Sequence, residues 1–169
     1  MLEGFELQLL APHHQRAQFQ SQADSLNDFL RKYAKNQHKN STTRVYVYAH
    51  REGEIAGFFT LSAHLLELSG LPDSILKGRP RLPIPTTLLG RFAIDQRYEG
   101  KGLGRTLLSY ALREAHKAAQ IVASAFVVVD VSEDASEHAA EFYRKCGFVA
   151  LPSNPQRMLL SLNDVGRSL

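Results

Sequence analysis

One cysteine, Cys146, occurs in the 169 residues, so no disulfide can close within the chain. Its thiol is read as a packing group. No apolar run approaches the roughly 20 residues that a membrane-spanning helix needs. The opening residues, Met1-Leu2-Glu3-Gly4-Phe5, lack the basic-then-apolar layout of a secretory leader. Together these absences predict a cytoplasmic protein. Internal repeats and low-complexity tracts are also missing. The seven histidines show no metal-ligand spacing: His13 and His14 are adjacent, and His116 and His138 fall on separate predicted helices. No metal is therefore expected. There is no Gly-x-Ser-x-Gly elbow of a serine hydrolase. Neither of the common nucleotide-binding glycine loops fits: no Gly-x-x-x-x-Gly-Lys-Ser/Thr string exists, and Gly-x-Gly-x-x-Gly counted from Gly100 ends on Arg105.

What is present is the make-up of an ordinary globular protein, 44% hydrophobic and 22% charged, of a length that suits a single domain over residues 1–169. Net charge is +3, which permits an anionic partner without requiring one. The positive charge is clustered. Lys32, Lys35, Lys39 and Arg44 fall close together, and Lys77, Arg79 and Arg81 have no acid between them. Taken alone, both clusters read as solvated faces.

Residues 5–10 alternate in the manner of a strand. Ser25 is placed to cap a helix running to about His38, with Leu26, Phe29, Leu30 and Tyr33 on one face. Thr43 to Ala49 and Ile55 to His64 read as a hairpin about the turn Arg51-Glu52-Gly53-Glu54. Residues 66–85, with four prolines and two glycines, read as an ordered loop or short helix. A strand over Thr86 to Asp95 precedes a helix over Leu103 to Ala119, whose inner face is Leu107, Leu108, Ala111, Leu112 and Ala115. Ala125 to Val131 has the composition of a strand buried on both faces. Glu137 to Lys145 reads as a helix closed by Gly147 in a left-handed cap, followed by strands near 148–151 and 157–162. The order β-α-β-β-β-α-β-α-β-β predicts an α/β sheet with one interior crossover.

The most informative stretch is Arg97-Tyr98-Glu99-Gly100-Lys101-Gly102-Leu103-Gly104-Arg105, between a strand and a helix. Glycines allow a tight turn and close approach to a ligand. The first N–H groups of a helix lack internal partners and, with the helix dipole, form an anion site suited to a pyrophosphate. Arg97, Lys101 and Arg105 add positive charge.

Arg97-x-x-Gly100-x-Gly102 resembles the acetyl-CoA signature Gln/Arg-x-x-Gly-x-Gly/Ala of the GNAT acetyltransferase superfamily. Glu141-Phe142-Tyr143-Arg144-Lys145-Cys146-Gly147-Phe148 resembles that family's second hallmark, a helix that carries a tyrosine and closes on Gly-Phe. The resemblance implies an α/β GNAT fold with a mixed central sheet of about six to seven strands, splayed at the cofactor site and flanked by helices. It implies acetyl-CoA as cofactor, bound by Gly100, Lys101, Gly102, Leu103, Gly104, Arg105 and Arg97, with Phe92, Ala93 and Ile94 along its arm. Backbone N–H groups of the splayed strand would hold the negative charge that develops on the carbonyl oxygen. Tyr143 would serve as general acid toward the leaving thiolate. For a base, Glu67, Asp95, Asp130 and Glu133 are the candidates, and the sequence does not separate them; an amine of low pKa, such as an aminoacyl ester, can dispense with a strong one.

A narrower likeness is to the toxins of bacterial toxin–antitoxin pairs that acetylate the α-amine of aminoacyl-tRNA. It is carried by Leu26-Asn27-Asp28-Phe29-Leu30-Arg31 with Arg44-Val45-Tyr46-Val47, by Ile55-Ala56-Gly57-Phe58-Phe59-Thr60-Leu61-Ser62, and by Pro83-Ile84-Pro85 to Leu89-Gly90-Arg91-Phe92-Ala93-Ile94-Asp95. That likeness implies aminoacyl-tRNA as substrate, a ribbon-helix-helix antitoxin as partner, and a homodimer. A polyanionic substrate calls for a basic track, which Lys32, Lys35, Lys39, Arg44, Lys77, Arg79, Arg81 and Arg91 could supply. The stretch from Val131 to Phe142 is longer than that group's pattern and holds four acids. Two other classes stay open: a GNAT enzyme acting on a small-molecule or protein amine, and a non-catalytic module that binds coenzyme A or RNA.

Overall fold

The computed structural model describes residues 2–132 and 137–168. The elements are β1 (Phe5–Leu9), α1 (Asp24–Asp28), a π-helical turn (Phe29–Tyr33), α2 (Ala34–Lys39), β2 (Arg44–His50), β3 (Ile55–Leu66), α3 (Asp73–Leu76), β4 (Ile84–Ile94), α4 (Leu103–Ala119), β5 (Phe126–Asp130), α5 (Glu137–Lys145), β6 (Val149–Leu151), β7 (Asn154–Ser161) and α6 (Leu162–Ser168). The seven strands make one sheet in the order β1-β2-β3-β4-β5-β7-β6. β1 and β2, β2 and β3, β5 and β7, and β6 and β7 pair antiparallel. β4 and β5 pair parallel, joined through α4, and this is the expected crossover. Residues 133–136, including the candidate base Glu133, lie outside the described residues.

By contacts the chain divides into two compact units. The first comprises Met1–Ser62 and Leu89–Leu112. Its core gathers Phe19, Phe29, Leu30 and Ala34 with Val45, Val47, Ala49, Ile55, Phe58 and Ala93. Phe58 meets Phe19 edge-on at 5.3 Å and stacks with Phe29 at 6.1 Å. Gly57 sits mid-strand in a crowded place. A Cβ there would lie 3.1 Å from both Ile94 Cδ1 and Leu107 Cδ2.

The first helix departs from its expected face. Tyr33, predicted inward at regular spacing, is 55% exposed, and Ala34 is fully buried instead. The π-helical turn is the reason: an extra residue in the turn carries the buried face one position further along the chain. Arg16 Nη1 donates to Leu30 O at 3.3 Å and to Arg31 O at 3.2 Å, two carbonyls of that turn. Ser25 does not cap the helix; Ala23 holds the cap position and makes no side-chain cap bond. Asn27 fixes the helix entry in its place, its buried Oδ1 accepting from Ser21 N at 2.7 Å and Ser21 Oγ at 2.8 Å. In β1 the alternation does not reach its end, and Leu9 is exposed.

The second unit comprises Ala63–Leu88 and Arg113–Leu169. Phe126, Val127, Val128 and Val129 are all buried, as expected of a strand covered on both faces. Leu66, Leu71, Ile84, Leu151 and Leu159 complete a core with Phe126 and Val128. The proline-rich segment 66–85 forms the short α3 and is fastened by Ser153 Oγ donating to Gly70 O at 2.7 Å. α6 has no counterpart in the sequence reading. Gly166 inside it looks like a helix breaker; a Cβ there would lie 2.7 Å from His116 Nε2, so the imidazole would have to move aside for a larger residue.

His14, in the first unit, is 4% exposed and lies against His13 with ring centroids 4.1 Å apart. Its Nδ1 accepts from Ala11 N at 2.9 Å, so Nε2 holds the proton and donates to Gln8 Oε1 at 2.8 Å. Burial, then the proximity of His13, lowers its pKa from 6.5 to about 4. The unfolded chain therefore binds the extra proton first as pH falls. Stability should be independent of this group above pH 6.5, and about 3 kcal/mol should be lost between pH 6.5 and pH 4. Urea unfolding across that range checks this, and His14→Gln should flatten the dependence.

Candidate active site

The turn before α4 is built around one buried carboxylate. Asp95 follows β4 and caps the short turn Gln96–Tyr98, its Oδ1 accepting from Arg97 N at 2.9 Å. Arg97 Nε donates to the same oxygen at 2.9 Å and Nη2 to Oδ2 at 3.1 Å. These bonds hold the Asp95 carboxyl below its ordinary range despite burial, which acts in the opposite direction. The far side of the guanidinium donates from Nη1 to Glu54 Oε1 at 2.8 Å, and Tyr98 OH donates to that oxygen at 2.5 Å. Burial and the Glu54 carboxylate push the Tyr98 phenol up to about 12. Arg97, expected as a cofactor-binding cation, thus has its guanidinium engaged by two carboxylates.

Beyond this clamp the chain turns on Gly100 (φ +74°) and Gly102 (φ +76°) into α4. Both glycines are exposed, and a Cβ at either would meet nothing within 4 Å. Gly102, Leu103, Gly104 and Arg105 bring the first N–H groups of a 17-residue helix to this turn. Lys101 and Arg105 are exposed beside it, with Lys101 Nζ 5.7 Å from the centre of the Tyr98 ring. Open space, left-handed glycines, unpaired helix N–H groups and two exposed cations fit a pyrophosphate.

β4 offers backbone rather than side chains. Ala93 is buried in the core, and Ile94 Cδ1 packs where a Gly57 side chain would stand. Phe92 is partly buried. The parallel register of β4 with β5 comprises Thr87↔Val127 and Leu88↔Val128.

In the second unit, α5 ends in the expected glycine cap. Gly147 has φ +99°, Gly147 N donates to Arg144 O at 3.1 Å, and Phe148 N donates to Tyr143 O at 3.0 Å. This pair of bonds is a Schellman motif, which brings the residue after the glycine onto the last helical turn. Here it seats Phe148 edge-on against Tyr143, centroids 5.4 Å apart, with Phe142 at 5.3 Å on the same ring. Desolvation in this apolar setting, with Cys146 nearby, raises the Tyr143 phenol well above its ordinary value. Tyr143 therefore holds its proton at neutral pH, the state a general acid needs.

Comparison with known proteins bears on this arrangement. The Acetyltransferase (GNAT) domain family matches residues 41–150. A tRNA-acetylating toxin of Mycobacterium tuberculosis (strain ATCC 25618 / H37Rv) is 31% identical over 146 residues, covering 86% of this chain and 85% of the relative. The chain belongs to the GNAT acetyltransferase family. The "Probable toxin TacT" of Sinorhizobium fredii (strain NBRC 101917 / NGR234) is 32% identical over 162 residues, covering 92% of this chain and 89% of the relative. Among solved structures, AtaT complexed with acetyl-methionyl-tRNAfMet superposes with a TM-score of 0.88 at 26% identity, covering 97% of this chain and 98% of that one.

The basic residues of this acetyltransferase fall into two kinds. Arg44 donates to His38 O at 2.9 Å and Ser41 Oγ at 3.0 Å, Arg79 Nε donates to Ile75 O at 3.0 Å, and Arg91 stacks over Phe29 at 4.0 Å. Burial lowers the Arg91 pKa from its ordinary value. Lys32, Lys35, Lys39, Lys77 and Arg81 are exposed, Lys32 beside Asp28 at 3.5 Å. Lys77, Arg79 and Arg81 line an open cavity of about 760 Å³ together with Ser69, Asp73 and Ser74. Of the candidate bases, Asp95 is filled by its donors, Asp130 is paired with Arg157 at 2.7 Å, and Glu67 is exposed. The Asp95 clamp is what the sequence reading missed. Its signal was an aspartate directly before a turn, two residues ahead of an arginine. Gly100→Ala should destabilise the fold by about 1–2 kcal/mol through its left-handed backbone alone. Urea unfolding measures this, and an unchanged midpoint would mean that the turn can relax.

Proposed function

We propose that the chain transfers the acetyl group of acetyl-CoA to the α-amine of an aminoacyl-tRNA, and so acts as a translation-blocking toxin. The observation that carries the reading is the turn at 97–104, with two open left-handed glycines leading into a long helix, in a chain whose relatives include a tRNA-acetylating toxin. The whole of 1–169 is read as one acetyltransferase domain. No helix among the described residues is long and apolar enough to cross a membrane, and the proposed substrate sets the activity in the cytoplasm. A ribbon-helix-helix antitoxin and a homodimer belong to the same reading.

When bound, acetyl-CoA supplies an acyl carbon activated as a thioester. The helix N–H groups at Gly102 to Arg105, with Lys101 and Arg105, would bind the pyrophosphate. Backbone groups at Phe92, Ala93 and Ile94 would orient the arm and offer N–H donors to the thioester carbonyl. Tyr143 would hold a proton for the departing thiolate and regain one from solvent, which would also take the amine's surplus proton. An aminoacyl ester amine has a low enough pKa to be partly neutral, so no buried carboxylate base is required. The exposed Lys32, Lys35, Lys39, Lys77 and Arg81 provide the basic track. Arg44 and Arg79, which are also exposed, and the half-buried Arg91 belong to the same proposed track.

Labelled acetyl-CoA, incubated with a pool of aminoacylated tRNA and with deacylated tRNA as control, tests this. Label should appear on the aminoacyl group only, and Tyr143→Phe should slow its transfer by about a hundredfold or more. Label confined to small amines or protein would assign the chain to the other acetyltransferase class.

A further inference from the structure

Three stretches of the first unit meet at Asp95, whose side chain is 1% exposed. Besides the three donors of Arg97, its Oδ2 accepts from Gln20 N at 3.0 Å. Four N–H donors match the full acceptor capacity of a carboxylate, leaving none for a ligand or a proton. The backbone repeats the connection: Gln96 N donates to Gln20 O at 2.8 Å, and Asp95 N to Ala56 O at 2.9 Å. The segment around Gln20 is in turn clamped to the first helix. Arg31 Nη2 donates to Phe19 O and to Gln20 Oε1, both at 2.8 Å, and Asn27 Nδ2 donates to Ser21 O at 3.2 Å. One residue further on, Gln22 Nε2 donates to Glu99 Oε2 at 3.2 Å, directly before Gly100. A connected set of polar contacts thus runs from the helix that presents Lys32, Lys35 and Lys39, through Gln20, to Asp95, Arg97 and the glycine turn.

We infer that Asp95 is a positioning residue for the acyl-donor turn: through Arg97 it fixes the approach to Gly100–Gly104, and through Gln20 it ties that turn to the first helix. The inference rests on the reading of the turn as the acetyl-CoA site. A turn that contains two left-handed glycines and faces open space has little packing of its own to order it. Without the clamp, its ordering would fall on the binding step and weaken affinity. An Asn side chain at the position keeps the shape but turns an amide donor toward the guanidinium or toward Gln20 N.

Calorimetric titration with acetyl-CoA alone, on the full chain and without acceptor, tests the inference separately from the choice of acceptor. Asp95→Asn should raise Kd about tenfold, the loss of one charge-assisted bond. Amide hydrogen exchange at 99–104 should speed up in the ligand-free variant while the protection of β2 and β3 is kept. Arg97→Gln, at a side chain 47% exposed, should give the same loss of affinity and the same faster exchange. The double variant should be no worse than either single one, because both substitutions break the same contact. A folded Asp95→Asn protein with wild-type Kd and wild-type exchange would overturn the inference, as would losses that add, since additivity means that Arg97 grips the ligand itself. If Asp95→Asn does not fold, wild-type affinity in Arg97→Gln overturns it equally. Wild-type protein that binds no acetyl-CoA overturns the underlying reading, and that result is visible before any variant is made.

Discussion

A carboxylate almost without water contact, held by four N–H groups, ends the central strand of the sheet. Burying a charge is costly unless every acceptor site is filled, and at Asp95 they are filled by Gln20 and Arg97. The turn that follows is therefore shaped before any ligand arrives. β3 supplies Ala56 O, and Glu54, the residue before that strand, bonds Arg97; the segment before the first helix supplies Gln20, and the turn itself supplies Arg97. Each of these contacts depends on the others being in register. A one-residue slip in β4 would turn the Asp95 side chain away from Gln20 and Arg97.

The proposed chemistry then falls to groups that need little adjustment. Backbone N–H groups at the start of α4 and along β4 carry partial charges fixed by the fold. Tyr143 is flanked edge-on by Phe142 and Phe148, and burial raises its phenol above the ordinary value. Three arginines make contacts within the fold: Arg97 braces the turn, Arg91 covers Phe29, and Arg79 closes back on α3 and lies over Phe126 at 5.1 Å. The lysines, lacking the planar fork suited to such bracing, remain at the surface.

Much of this was legible in the chain itself. The helix over 103–119 and the helix over 137–145 have the expected bounds, because an apolar stripe at helical spacing and a Gly-Phe closure are local signals. The left-handed cap at Gly147 was likewise readable. What was not readable depends on distant partners. Gly166 lies within a helix and beside His116, a neighbour 50 residues away in sequence. Ser25 yields its capping role because Asn27 reaches back to Ser21. Asp95 could not be told from three other acids because its meaning lies in Gln20, 75 residues away in sequence.

The π-helical turn at Phe29–Tyr33 has a consequence for the basic surface. Successive residues of a helix are offset by about 100°, so one surplus residue in the turn reorients everything after it relative to what came before. Lys32 lies within the turn, and Lys35 and Lys39 lie beyond it. Their direction is thus set by a backbone irregularity that Arg16 braces through two carbonyls. Deleting a single residue there would leave a smoother helix with every lysine still present, but aimed at a different part of space.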